Sequence, residues 1–544
     1  MGVITSNMPR RADPRSPGAP SPDALHSAGL APSWKPGVRR LAIWVLAVLA
    51  LGLAYSQSPL YTSNQNQYFL HGAAHAGIGS LSRDWLANTA DPTPVFSWIV
   101  EGTYRLLPPA AFHVEYLLLF GVYLVGMWRL VDPIFQLQRS RLRVLLFFTL
   151  LVVLHSAALR LLQGRLLGEA WEYVWDGGLA GQRLLGPVYQ PSAFGVFLLL
   201  SLALFLRGRP GWASAAAALT ACVHPTYLLP AAILVLAYCT VTWSEMRSLR
   251  RPLLLGLLAL VLVTPIVLYV LLVLGPTSPS MLAQAQQILI DERVPHHALP
   301  AAWFDTSSMV QLALVGLALV VTRRTQVFRL LCLVAAAGVL LTMLQMATGS
   351  PMLALLFPWR ISTVLVPASV GLLAGWLARW AAEAIEPRGA ILMRTAWIGS
   401  LLIIGLLAIA GVVAFLVQRS AQSADPASEV LRYVQAHARP GEVYLIPAKL
   451  QEFRLATGAP VFVDFKSIPY RDVDVLEWRE RLRLVDWFYR EEPAQVDCSL
   501  LEELAQRYGV THAVLDQDLL DLSCPQLDLL YRDAHYALGI LQDT

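Results

Sequence analysis

Residues 58–109 read SPLYTSNQNQYFLHGAAHAGIGSLSRDWLANTADPTPVFSWIVEGTYRLLPP. This polar stretch follows the first apolar run and is far longer than a tight helix–helix connection. Loops beyond about 12–15 residues are usually functional or disordered, and the aromatic, amphipathic segments here argue against disorder. Lipid is the solvent for most of the chain: of 544 residues, 56% are hydrophobic and only 14% charged, against about 25% charged in soluble domains. A loop of this kind then lies at the bilayer surface, over whatever cavity the helices enclose.

Working outward, residues 1–40 are rich in Pro, Ser, Ala and Arg without apolar periodicity, and are expected to be a disordered cytoplasmic tail. The first apolar run, 41–55, lies behind Arg39 and Arg40 and lacks a signal-peptide layout, so it is expected to stay as an anchor. A spanning helix needs about 20 mostly apolar residues. Ten further candidates follow at 112–131, 144–162, 190–206, 212–223, 228–243, 253–274, 309–321, 327–346, 353–377 and 397–417. The expected fold is an α-helical polytopic membrane protein of about eleven transmembrane helices over 41–417. Its long outer loops are 58–110, 163–189 and 275–308.

Arginine placement orients this arrangement. The connections after the even-numbered helices hold fourteen arginines, among them Arg139, Arg141, Arg143, Arg323 and Arg324. The opposite connections hold few, but carry the acids Asp84, Asp91, Glu101, Glu169, Glu172, Asp176, Asp291, Glu292 and Asp305. The positive-inside rule then places the N-terminus in the cytoplasm and the long loops outside. Residues 418–544 follow the last helix on that outer side. Amphipathic helices and short apolar runs such as GEVYLIP (441–447), APVFVDF (459–465) and THAVLDQ (511–517) predict a small extracytoplasmic α/β domain there. Cys498 and Cys524 lie in it, where a disulfide is permitted by the compartment. The arginines are scattered rather than gathered in a stripe, so no nucleic-acid partner is expected.

Four groups of residues could carry chemistry. Asp84 and Asp91 are the acids of the first outer loop and the candidate catalytic carboxylates; Asp91 before a proline is equally a turn residue. In GEAWEYVWD, Glu169, Glu172 and Asp176 stand at i, i+3 and i+7, which places them on one face of a helix. A divalent cation such as Mg or Mn would neutralise that face; a solvated acidic face is the alternative. Arg293, His296 and His297 in the third long loop, with Arg360 of FPWR, suit a phosphate through charge-assisted hydrogen bonds. Ionisable groups are nearly absent from the apolar segments, which disfavours an ion-coupled transporter.

The layout of acids in the first two outer loops, a later outer-face arginine and a C-terminal outer domain resembles the GT-C superfamily of multipass glycosyltransferases. HPTYLLPAAIL, FPWRIS and FRLATGAPVFVDFKSIP are similar to bacterial membrane proteins of that build. The resemblance implies transfer of a sugar from a polyprenyl-phosphate carrier on the outer face of a bacterial inner membrane, with membrane lipid as surroundings and partner. It implies an acid just after the first helix, where this chain has Asn64, Gln65, Asn66 and Gln67. Asp84 is the expected substitute. Two other readings stand beside it: a non-catalytic scaffold for envelope-polysaccharide assembly, and a lipid or glycan flippase.

Overall fold

The computed structural model describes residues 36–490, 498–520, 522 and 524–542. The expected tail lies outside the described residues except for 36–40, which already belong to the first helix. Residues 1–45 and 46–544 form separate compact units; the first is described only as the opening turns of that helix. Everything below concerns the second.

The main helices are α1 (Pro36–Tyr55), α2 (Ala111–Phe135), α3 (Arg141–His155), α4 (Ala157–Leu167), α5 (Val196–Leu206), α6 (Pro210–Val223), α7 (Leu228–Met246), α8 (Arg250–Val273), α9 (Thr306–Thr322), α10 (Gln326–Thr348), α11 (Ser362–Ile385) and α12 (Ala390–Ser423). The chain is a helical multi-pass membrane protein. Among the described residues seven helices are long and apolar enough to cross a membrane, eight if the bent pair α3 and α4 is one span. The remaining three apolar segments are shorter helices of 10–17 residues, so length and composition do not carry a count of eleven. The run 144–162 is not one straight helix. Ser156 is extended there and its side chain caps α4 by accepting from Leu159 N at 3.2 Å, which bends the pair by 45°.

Helix burial follows small-residue spacing. α11 is buried almost all round, whereas α8 and α12 expose leucine and isoleucine along their length. Gly371 and Gly375, one turn apart on α11, leave room only for Met127, Val131 and Phe135 of α2; a Cβ at either would collide with them. Without a hydrophobic drive between helices in lipid, such close approach is what holds them together.

After α12, three helices, α13 (Ser428–His437), α14 (Asp472–Arg490) and α15 (Ser499–Tyr508), pack on a four-stranded sheet. Its strands are β1 (Tyr444–Leu445), β2 (His512–Leu515), β3 (Leu527–Arg532) and β4 (Ala537–Leu541), in the order β1-β2-β4-β3. β1 and β2 are parallel; the other pairings are antiparallel. Alternation along β2 covers both faces: Ala513 and Leu515 pack with Trp478 and Leu504, Val514 with Val434 and Phe453. A disulfide joins Cys498 to Cys524, with Cα atoms 5.6 Å apart. The run 459–465 is not a strand beyond an isolated bridge at Val461. Beside backbone hydrogen bonds to Tyr444 and Ala448, side chains take up part of its backbone: Val461 N donates to Asp84 Oδ2 at 2.9 Å, and Phe462 O accepts from Arg481 Nη1 at 3.1 Å.

Candidate functional site

Four cations converge from distant parts of the chain. Arg183 comes from the loop after α4, Arg293 from the loop between α8 and α9, Arg360 from the turn before α11, and Lys466 from the segment before α14. The three arginines are placed by aromatic or backbone contacts rather than by an acid. The Arg183 guanidinium lies 3.8 Å from the centre of the Tyr173 ring. Arg293 Nη2 donates to the Lys466 carbonyl at 2.8 Å, and its guanidinium faces Phe465 at 5.4 Å. Arg360 Nη2 donates to His224 Nε2 at 3.2 Å while its guanidinium covers Tyr227 at 5.0 Å.

Among the described residues none of the four has a carboxylate within the 4.0 Å of an ion pair. Arg183 Nη1, Arg293 Nε and Arg360 Nε are buried without a partner. Burial first, then Arg293 and Arg183, push the Lys466 ammonium down to about 8. Half-buried cations with orphaned donors and no partner acid have the donor set that suits an anion. Fork-shaped guanidinium donors match phosphate oxygens in both number and direction.

His296 and His297 border this cradle, but neither supplies charge. Burial, then His296, pull His297 down to about 3, although its Nδ1–H donates to the Ala180 carbonyl. His296 is more exposed, and burial, Arg293 and Lys466 lower it too. Without a bound anion both rings are therefore held toward the neutral form, in which they offer hydrogen bonds and shape. Of the expected phosphate ligands, Arg293, His297 and Arg360 are brought together, with His296 at the rim. Arg183, Lys466 and His224 were not among the expected phosphate ligands, although Lys466 is one of only three lysines in an arginine-rich chain.

The expected catalytic carboxylates lie elsewhere. Asp84 is fully buried. Its Oδ1 accepts from Leu86 N at 2.9 Å, and its Oδ2 accepts from Arg454 Nε at 2.7 Å and from Val461 N. Arg454 also pairs with Asp464. With its lone pairs engaged by an arginine and the backbone amides of Leu86, Ala87 and Val461, Asp84 ties the first loop to the C-terminal region. Asp91 is a turn acid, accepting from Thr93 N at 2.8 Å with His71 Nδ1 4.0 Å away.

The acids of GEAWEYVWD do not share a helical face, because only Glu169–Trp171 forms a 3₁₀ turn and the backbone then runs through irregular turns. Glu169 is exposed, Glu172 half-buried and Asp176 buried. Arg160 supplies the positive charge beside Glu172 and Asp176; its Nη2 donates to the Tyr55 carbonyl at 2.9 Å. Among the described residues no three His, Cys, Asp or Glu side chains gather as a metal site. Glu169, Glu172 and Asp176 do not form the donor set expected for a divalent ion.

Glu172 and Tyr173 instead line a cavity of about 1350 Å³ beside the cradle. Tyr173 is shared ground: Arg183 covers it at 3.8 Å and Arg160 approaches it at 5.3 Å. Backbone strain collects around both places. Of the described non-glycine residues with positive φ, Gln136 and Arg247 are helix caps. The other five are Ser56, Tyr61 and Ser63 near the cavity, and Ala180 and Phe357 near the cradle. Such conformations cost roughly 1–3 kcal/mol each and cluster at functional sites.

A family model described as a domain of unknown function, DUF6798, matches residues 425–485. No curated protein matches the chain. Two solved structures are similar in outline, both of ArnT from Cupriavidus metallidurans. The one bound to undecaprenyl phosphate has a TM-score of 0.47 and 14% identity, over 93% of this chain and 97% of that chain. The apo state has a TM-score of 0.46 and 13% identity, over 93% and 98%. Likeness of this degree does not bear on chemistry, which rests on the residues described above.

Proposed function

We propose that this protein is a GT-C-like glycosyltransferase that holds the phosphate of a polyprenyl-phosphate-linked sugar in the cradle of Arg183, Arg293, Arg360 and Lys466. The observation that carries the reading is a set of four cations with, among the described residues, no carboxylate paired to them and three orphaned guanidinium donors. In such a transfer the bond between the sugar C1 and the phosphate oxygen breaks, and its electron pair stays on the phosphate. A new bond forms from the acceptor oxygen to C1, and the acceptor proton leaves to a base. The cations stabilise the negative charge that develops on the departing phosphate, a preorganised effect that acts most strongly where water is excluded. Of the cavity's carboxylates Glu172, next to Tyr173 in sequence, is the one assigned to receive the proton. The arginine asymmetry of the connections supports an N-terminus in the cytoplasm and a cradle on the outer face of a bacterial inner membrane.

The test is transfer of sugar from a polyprenyl-phosphate donor by purified protein in lipid nanodiscs. Arg360→Ala and Lys466→Ala are expected to lose donor turnover with the fold intact by circular dichroism. Full activity in both variants overturns the reading. The engagement of Asp84 by Arg454 favours a second reading, in which the protein binds the lipid phosphate without transferring sugar and serves envelope-polysaccharide assembly. That reading predicts phosphate-dependent binding with no turnover in the wild type.

A further inference from the structure

The cavity beside the cradle has the opposite electrostatic character, and this decides what it can hold. Its lining includes three arginines (Arg160, Arg419, Arg432) and three carboxylates (Glu172, Asp425, Glu452), so it carries no net charge to attract an anion. Five of its lining side chains are carboxamides: Asn66, Gln418, Gln422, Gln435 and Gln451. An amide both donates and accepts, as a hydroxyl group does. A phosphate uses only the donor half; a sugar hydroxyl uses both.

Asn66 is the decisive residue. It is only 2% exposed, yet neither its Oδ1 nor its Nδ2 has a hydrogen-bond partner. Leaving a buried amide unsatisfied costs about 1–3 kcal/mol, and Asn66 belongs to the wall of the cavity. Its backbone is held in place, since its carbonyl accepts from Ser467 Oγ at 3.3 Å. Tyr61 and Ser63, on the same wall, have the strained φ of 65° and 53°. Tyr61 and Tyr173 add aromatic rings of the kind on which the apolar faces of sugar rings stack. At about 1350 Å³ the cavity exceeds the roughly 300–1,000 Å³ of a site for one small molecule.

We infer that this cavity binds a neutral oligosaccharide, with the Asn66 amide hydrogen-bonded to its hydroxyl groups. Its place as the acceptor site rests on the transferase reading; the binding itself does not. The lower wall comes from the ends of α2, α4 and α12, and the upper wall from α13 and residues 451–456. A glycan lying there spans the boundary between the helices and the sheet region, with Glu172 within the same cavity and the cradle beyond Tyr173.

The test uses the full-length protein in detergent with two kinds of probe: a panel of neutral tetrasaccharides (maltotetraose, cellotetraose and chitotetraose) and farnesyl phosphate. Binding is read by saturation-transfer NMR and calorimetry. At least one tetrasaccharide is expected to bind the wild type and not to be displaced by farnesyl phosphate. Asn66→Leu is expected to weaken that binding about tenfold. Gln435→Ala, at an exposed position of the same wall, should weaken it several-fold without risk to folding. The inference is overturned if no tetrasaccharide binds, if farnesyl phosphate displaces the sugar competitively, or if both variants bind as well as the wild type. Tetrasaccharide binding with no farnesyl phosphate binding leaves the inference standing and removes the phosphate reading of the cradle.

Discussion

The cradle and the cavity share Tyr173 yet are built on opposite principles. In the cradle Arg183, Arg293, Arg360 and Lys466 meet with no acid among them, and aromatic rings hold the guanidinium groups in place. In the cavity arginines and carboxylates are equal in number, and carboxamides and hydroxyl groups make up most of the remaining polar lining. On the proposed reading one selects for charge, the other for hydroxyl groups. The difference teaches that clustered arginines do not by themselves mark an anion site; what marks one is the absence of neighbouring carboxylates.

The largest expected effect removes the frame that both regions share. Arg454→Met leaves Asp84 and Asp464 as unpaired buried acids, and should cost about 3–5 kcal/mol of stability. Thermal and denaturant unfolding measure it, and loss of both tetrasaccharide and farnesyl phosphate binding should accompany it. If that variant is as stable as the wild type, Asp84 is not the tie described here. Replacing Cys498 and Cys524 by serine should cost about 2–4 kcal/mol, seen in unfolding of the C-terminal region under oxidising conditions.

Smaller effects separate the two regions. Arg360→Ala should weaken farnesyl phosphate binding by a factor of about 10–100, the value of one or two charge-assisted hydrogen bonds at about 1.5–3 kcal/mol. A tetrasaccharide should bind that variant as it binds the wild type, and equal loss of both probes would erase the distinction.

Raising the pH should have a similar selectivity. Lys466 titrates at about 8 in the free protein, and a bound phosphate, favouring the ammonium, raises that value. Binding above pH 8 must therefore take up a proton, so phosphate affinity should fall by roughly tenfold between pH 7.5 and 9.5. The phosphate itself is already dianionic across that range, its second ionisation lying near 6. A Lys466→Arg variant should lose the pH dependence, while tetrasaccharide binding should not change. Glu169→Ala closes the series. As an exposed residue outside both regions it should alter stability by less than about 0.5 kcal/mol and leave both ligands unaffected.

The sequence revealed these places unevenly. Arg293 and Arg360 stood out because arginines at the level of a lipid headgroup suit phosphate through charge-assisted hydrogen bonds. Lys466 carried a signal that was overlooked, its rarity in an arginine-rich chain. Asp84 was misread: an acid in a long loop has the composition of a catalytic residue, and its partner Arg454 lies 370 positions further on. Glu169, Glu172 and Asp176 were misread for a different reason. Their spacing fits one face only if the segment is helical, and the backbone is irregular after Trp171.

What the sequence determined by itself was the solvent and the helices. Apolar runs of spanning length can be satisfied in lipid only as helices, because each backbone group must find its hydrogen bond within its own segment. That constraint is local, and local constraints are written along the chain. The location of the two binding regions is not local. It depends on which loops meet above the helices, on whether an arginine finds an acid, and on whether an amide such as that of Asn66 finds any partner. Only the tertiary structure decides those pairings, since the free energy of a buried charge or amide is set by its neighbours in space.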